Sequence, residues 1–155
     1  MTNVDVYNFR LRKLEEALEL SRRLAKNFRD PEANVTGIYE LLLNAIEHGN
    51  LGLGYEMKSD LVRAGKWRDE IDRRLALPEF REREVEIKLV HNQTICCLTI
   101  ADQGRGFAWQ DYVHRLSCGR RPNGRGLWIA FNSPFDNIKF NEAGNVVTCV
   151  GKYWR

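Results

Sequence analysis

The chain has 155 residues, enough for one domain with a substantial hydrophobic core. Its composition, 43% hydrophobic and 29% charged with four prolines, argues for a folded globular domain rather than a disordered one. A net charge of +3 without a long Lys/Arg run argues against direct nucleic-acid binding. No apolar run reaches the ~18 residues of a membrane span, and no signal-peptide pattern is present.

Residues 3–10, NVDVYNFR, alternate weakly and predict a strand. From Arg12 the period becomes helical: Leu14, Ala17, Leu18, Ser21, Leu24, Ala25 and Phe28 form one face, and Glu19 stands one turn before Arg23 as a partner. Asp30-Pro31 predicts an N-cap followed by proline at the first helical position, with Gly49 as the stop. On this helix Val35, Ile38, Leu41, Leu42, Leu43, Ala45 and Ile46 cover more than half the circumference. Thr36, Gly37, Glu40, Asn44, Glu47 and His48 share the narrow remaining arc. Such a helix is buried on most sides, so its polar stripe needs partners; a solvated edge is the alternative for the stripe taken alone. Gly37 costs about 1 kcal/mol inside a helix relative to alanine. It leaves room either for a ligand or for close helix packing.

Residues 55–84 are rich in charge, and Met57, Leu61, Trp67, Ile71, Leu75 and Leu77 recur at irregular helical spacing up to Pro78. One or two amphipathic helices packed over the domain are expected. REVEIKLV (83–90) and TICCLTIA (94–101), joined by His91-Asn92-Gln93, predict a hairpin. The second run is apolar nearly throughout and predicts a central strand that delivers Asp102 at its end. Cys96, Cys97, Cys118 and Cys149 match neither a CxxC site nor a disulfide framework; reduced, buried thiols favour a cytoplasmic protein. Residues 107–123 read as a mobile loop with one helical turn or two, and Gly126–Ala130 starts a short helix. Two last strands, near 136–140 and 145–152, flank a four-residue turn, Asn141-Glu142-Ala143-Gly144. The order predicts an α+β two-layer sandwich, a mixed and mostly antiparallel sheet with helices on one face.

Two glycine clusters change the weight of the polar stripe. Asp102-Gln103-Gly104-Arg105-Gly106 leaves the central strand, where a fixed carboxylate can accept a hydrogen bond from an exocyclic amine such as that of adenine. Gly124-Arg125-Gly126 leads directly into a helix, whose free N–H groups suit phosphate oxygens. Each cluster alone is a weak signal. Together with ExxxN on a buried helix, in this order, they are a strong one.

ELLLNAIEHGN (40–50), DQGRG (102–106) and GRGLWIA (124–130) resemble the N, G1 and G2 boxes of the Bergerat-fold ATPases. That superfamily includes gyrase, heat-shock chaperones, mismatch-repair ATPases and sensor histidine kinases. Within it the chain is most similar to the anti-sigma-factor serine kinases of bacterial partner-switching systems. The likeness spans roughly residues 3–51 and 83–152, and so implies a single domain over 1–155 with a charged helical insertion at about 52–82. It implies an ATP-binding serine/threonine protein kinase that uses Mg²⁺, phosphorylates a small anti-anti-sigma antagonist and sequesters a sigma factor or similar regulator. A non-catalytic, nucleotide-gated binding module is the alternative. A mechanical ATPase would need a further transducer domain. The resemblance is compatible with a homodimer.

By the same resemblance Asn44 holds the metal, and Asp102 accepts from adenine N6 with Gly106 leaving space for the base. Residues 107–123 form an ATP lid, and Gly124, Arg125 and Gly126 wrap the phosphates. Gly104 and Leu127 belong to the same nucleotide-binding set. Thr148 stands for the adenine-pocket threonine of the last strand, with water as its alternative. Glu40 is the implied catalytic base. The arginines 105, 115, 120, 121 and 125 are equivalent candidates for phosphate contact. His48 reads either as a phosphate or lid contact or as a hydrogen-bonded structural residue. His91 is expected in a turn. Nothing around His114 resembles a phosphoacceptor, and the helical hairpin that carries a sensor kinase's phosphorylated histidine is missing.

Overall fold

The computed structural model describes residues 3–119 and 125–154. Five strands, β1 (Asp5–Leu11), β2 (Val85–His91), β3 (Ile95–Ala101), β4 (Asn137–Phe140) and β5 (Val146–Lys152), form one sheet in the order β1-β2-β3-β5-β4. Every pairing in it is antiparallel, so the mixed component expected from sequence is not seen among the described residues. Val85, Ile87 and Leu89 of β2, Cys96, Leu98 and Ile100 of β3, and Val147 and Cys149 of β5 are buried on one face; the opposite parity, with Glu86, Lys88, Thr99 and Thr148, is more open. Helices cover the buried face. This is the α+β two-layer arrangement the element order predicts.

The strand expected to be central is central. β3 lies between β2 and β5 and ends one residue before Asp102. In the turn before it, the Asn92 side chain accepts from the N–H groups of Thr94 and Ile95, both at 2.8 Å. His91 is not a turn residue. It closes β2, is buried, and stacks on Tyr153 at 3.9 Å.

Helix α1 (Ala17–Ala25) presents Ala17, Leu20, Ser21, Leu24 and Ala25 to the core, whereas Leu18 is 41% exposed. A 3₁₀ turn at Leu14–Glu16 precedes α1, and its tighter winding rotates the face relative to a continuous α-helix. Arg23 lies over the Phe9 ring, 5.4 Å from its centre, rather than pairing with Glu19.

Helix α2 (Pro31–Asn44) begins as expected: Asp30 accepts from the Ala33 N–H at 3.3 Å and Pro31 opens the helix. Its end is different. The backbone widens into a π-helical turn over Ala45–Asn50, and the left-handed residue beyond it is Gly52, at φ 64°, rather than Gly49. Gly37 is explained by packing. A Cβ there would overlap Ser133 Oγ and sit 2.8 Å from Ser133 Cβ, just past α6 (Arg125–Phe131).

The charged segment folds as α3 (Tyr55–Arg63) and α4 (Trp67–Leu75), which ends three residues before Pro78. Ile71 and Leu75 anchor it in the core, while Met57 stays 42% exposed. Arg74 donates to the Leu51 carbonyl at 2.7 Å and Arg12 to the Leu75 carbonyl at 2.6 Å, so the C-terminal end of α4 is tied down twice. Residues 109–117 correct the loop expectation: Trp109–Ser117 is a regular helix, α5. Trp109 stacks on Phe140 at 6.3 Å and Tyr112 on Phe131 at 5.9 Å, tertiary support that a loop would lack. Residues 120–123 of the expected lid lie outside the described residues.

All four cysteines are free. Burial pushes the thiols of Cys96 and Cys149 up to about 12, which keeps both protonated; Cys118, expected to be buried, is exposed. Among the described residues no helix is long and apolar enough to cross a membrane.

Candidate functional site

A cavity lies between α2 with its π-helical extension, the ends of β3 and β5, and α6. Asn44, His48, Gly49, Asp102, Gly106 and Leu127 line it together with the apolar Leu41, Ile100, Phe107 and Val147. Residues from the three sequence boxes, far apart in the chain, therefore share one wall-to-wall space.

Asp102 stands at the end of β3, where its backbone N–H donates to the Asn145 carbonyl at 2.9 Å. One carboxylate oxygen accepts from the Gly104 N–H at 2.8 Å, which folds the chain sharply after the strand. The π-helical turn brings Gly49 against this carboxylate: a Cβ on Gly49 would stand 2.6 Å from either oxygen. Burial dominates the charge balance. It lifts the Asp102 carboxyl to about 6, against the opposing pull of the Gly104 N–H and the more distant Arg83.

Gly104 and Gly106 are both needed by the backbone. A Cβ on Gly104 would overlap the Gly49 carbonyl, and Gly106, at φ 82°, packs on the Ala143 carbonyl. The space at Gly106 thus admits the 141–145 turn as well as bordering the cavity. That turn is held by Asn141, whose side-chain oxygen accepts from the N–H groups of Gly144, Asn145 and Val146 at 2.9, 3.0 and 3.1 Å.

At the other end of the stripe, Gly126 lies against Glu40 and Asn44. A Cβ on Gly126 would stand 2.5 Å from Glu40 Oε2 and 3.6 Å from the Asn44 amide nitrogen. The Glu40 carboxyl is half-buried, and desolvation raises it; Lys58 pulls it back down and Glu47 pushes it further up. The Asn44 amide nitrogen is buried with no hydrogen-bond partner. An orphaned donor in a cavity wall costs about 1–3 kcal/mol, so it marks a place where an oxygen-bearing ligand would be welcome. Asn34 Oδ1 and Trp109 Nε1 are also unpartnered, but neither residue lines the cavity.

The structural reading of His48 is the one the geometry bears out. Its Nδ1–H donates to the Leu53 carbonyl and its ring stacks on Tyr55 at 3.9 Å. Burial lowers it to about 4 against the opposing Leu53 bond, with Lys58 adding to the lowering, and leaves a neutral ring with Nε2 as an acceptor.

Thr148 is not part of the cavity lining. It pairs with Thr99 and Lys139 in register and shares strand parity with Val146 and Val150, so Val147 and Asn145 border the cavity in its stead. Arg105 and Arg115 are exposed; Arg120, Arg121 and Gly124 lie outside the described residues, and Arg125 is the first residue of α6. Sequence reasoning missed Gly49, Tyr55 and Asn145. Gly49 belongs to the ExxxN segment, but its position there signals only a helix stop.

Asn44, the residue the resemblance assigns to Mg²⁺, lines the cavity, and no group of three His, Cys, Asp or Glu residues able to hold a metal occurs among the described residues. A single amide ligand suits Mg²⁺, which keeps most of its waters and takes the rest of its ligands from phosphates. No family model matches the sequence, and no curated protein matches it either.

Proposed function

We propose that the chain is an ATP-binding protein serine/threonine kinase of the anti-sigma type, built on a Bergerat-like domain and acting in the cytoplasm. The observation that carries this reading is the convergence of Asn44, Gly49, Asp102, Gly106 and Leu127 on one cavity. An apolar slot with a carboxylate in its wall suits a planar base bearing an exocyclic amine. Asp102 accepts from that amine through the oxygen Gly104 does not occupy. Leu41, Ile100, Phe107 and Val147 supply the flat apolar walls.

From the base, the nucleotide runs along the polar stripe toward Asn44, Gly126 and Glu40. The orphaned Asn44 NH₂ and the space at Gly126 fit a phosphate oxygen, and the Asn44 carboxamide oxygen would hold the metal. Mg²⁺, when bound, neutralises phosphate charge and orients the terminal phosphoryl group. Glu40 accepts the proton of a serine or threonine hydroxyl as that oxygen takes the γ-phosphoryl group. Its raised carboxyl favours this role, because a base is most effective when its pKa lies nearer the working pH. The substrate is a small anti-anti-sigma antagonist, and the alternating partner a sigma factor or similar regulator.

Calorimetry with ATP and Mg²⁺, followed by phosphotransfer to candidate antagonists, tests the proposal. Wild type binds, Asn44→Ala loses binding, and Glu40→Gln binds ATP but transfers phosphate about 10²–10⁴-fold more slowly. A folded wild type that binds no ATP refutes the reading. Binding without transfer to any antagonist leaves a nucleotide-gated module in its place.

A further inference from the structure

The α3–α4 segment reaches the polar stripe of α2 through one side chain. Lys58 Nζ lies 2.7 Å from Glu47 Oε2, and Glu47 is only 3% exposed. Glu47 sits in the π-helical turn, three residues after Asn44. Lys58 Nζ also lies over the Trp67 ring, 5.1 Å from its centre, so α4 contacts the ammonium that α3 carries. The neighbouring Arg74 is engaged by Glu70 and the Leu51 carbonyl, and Arg83 by the Asn50 carbonyl. Among the described ion pairs, the Lys58–Glu47 pair is the one that touches α2 or its extension.

Two carboxylates, Glu40 and Glu47, flank Asn44 along one helix face. Unscreened, both oppose a polyanion placed beside Asn44, and a buried carboxylate without a counter-charge is also costly to the fold. We propose that Lys58 is a positioning residue of the nucleotide site: by neutralising Glu47 it makes the wall beside Asn44 tolerant of polyphosphate, and the α3–α4 segment is the brace that keeps it there. This rests on the nucleotide reading of the cavity. It assigns a task to a segment that the motif boxes do not include. Lys58 acts on the phosphates and not on the base, so its contribution grows with the number of phosphate charges.

The test is affinity for adenosine, AMP, ADP and ATP, each with Mg²⁺, in wild type, Lys58→Met, Lys58→Arg, Glu47→Gln and the Lys58→Met/Glu47→Gln double variant, with folding checked by circular dichroism. In Lys58→Met, ATP affinity falls about tenfold, ADP affinity falls less, and adenosine affinity stays within about twofold. The double variant regains most of the ATP affinity, because the neutral amide introduced by Glu47→Gln needs no counter-charge, and Lys58→Arg stays near wild type. An equal loss across the four ligands, or a double variant no better than Lys58→Met, overturns the proposal. If Lys58→Met does not fold, the double variant decides: a preserved rise in affinity from adenosine to ATP supports the neutralising role, and a lost one overturns it. A folded wild type that binds none of the four overturns the nucleotide reading itself. Binding with a flat response to Lys58→Met overturns only the role of Lys58.

Discussion

Replacing Asp102 by asparagine should stabilise the empty protein while removing its ligand. The change is nearly isosteric: the remaining oxygen still accepts from the Gly104 N–H, and the close approach of Gly49 is undisturbed. What changes is charge and hydrogen-bond sense. Asp102 titrates at about 6 in the folded chain against 3.8 for the free side chain, because burial penalises its ionised form. A raised carboxyl binds its proton more tightly in the folded state, so stability falls as pH rises from about 4 to about 6 and stays reduced above that window. Asparagine carries no such penalty. Discounted for its partial exposure, the gain at pH 7.5 is about 1–2 kcal/mol, or roughly 2–8 °C in melting temperature for a domain of this size. On the proposed nucleotide reading, an amide NH₂ would replace the acceptor for the adenine amine; a lost charged hydrogen bond plus an opposed donor amounts to about 3 kcal/mol, near a hundredfold in affinity. Thermal melts at pH 4, 5.5 and 7.5, paired with ATP calorimetry, give both readouts. A variant that melts lower than wild type at pH 7.5, or that binds ATP normally, refutes the reasoning.

The glycines of the stripe separate packing from function. Gly37→Ala should lose about 1–2 kcal/mol of stability in urea titration through its overlap with Ser133, with ATP affinity of the folded protein unchanged. Gly126→Ala meets only the flexible tip of Glu40, so stability should shift by less than about 0.5 kcal/mol. Displacement of the Glu40 carboxylate should still slow phosphotransfer about tenfold or more. His48 sets the acid limb: it is lowered to about 4 from 6.5, so its contribution is complete above pH 6.5 and is lost as pH falls toward 4. Asp102 opposes this loss in wild type. The Asp102→Asn variant should therefore lose about 2 kcal/mol of urea stability between pH 7 and 5, and wild type distinctly less.

Much of the frame was legible because it rests on local signals. The Asp30-Pro31 start of α2, the apolar run of β3 and the turn at Asn141 each follow from residue chemistry within one or two turns of chain. The full length of helix α5, beyond the one helical turn or two expected there, was legible too: Trp109, Tyr112, Val113 and Leu116 fall at i, i+3, i+4 and i+7. Thr148 could also have been set aside from the sequence, since strand alternation puts it on the face opposite Val147 and Cys149. The widening of α2 at Ala45–Asn50 has no comparable signature. It is favoured by what Gly49 meets, the Asp102 carboxylate 53 positions away, and no local pattern reports that contact. The Lys58–Glu47 pair was hidden for the same reason: its energy depends on the burial of Glu47, which only the packed structure defines.

The energetic character of α2 is what argues for a working surface rather than a scaffold. Backbone without side chains meets it or leaves it at three levels: Gly37 against Ser133, Gly126 against Glu40, and Gly49 against Asp102. These contacts hold the helix close to α6 at one end and to β3 at the other, and the cavity spans the interval between the last two. A chain selected only for stability would fill that interval with apolar side chains. Here it contains an unpartnered Asn44 amide and a carboxylate kept above its usual pKa, beside a half-buried Glu40 that is raised for the same reason. Each of these opposes folding, by about 1–3 kcal/mol for the orphaned amide alone. Their concentration in one cavity, at the join of three chain segments, is the pattern expected where a ligand supplies the missing partners. The proposed nucleotide, with an exocyclic amine at one end and phosphates at the other, would relieve most of them at once.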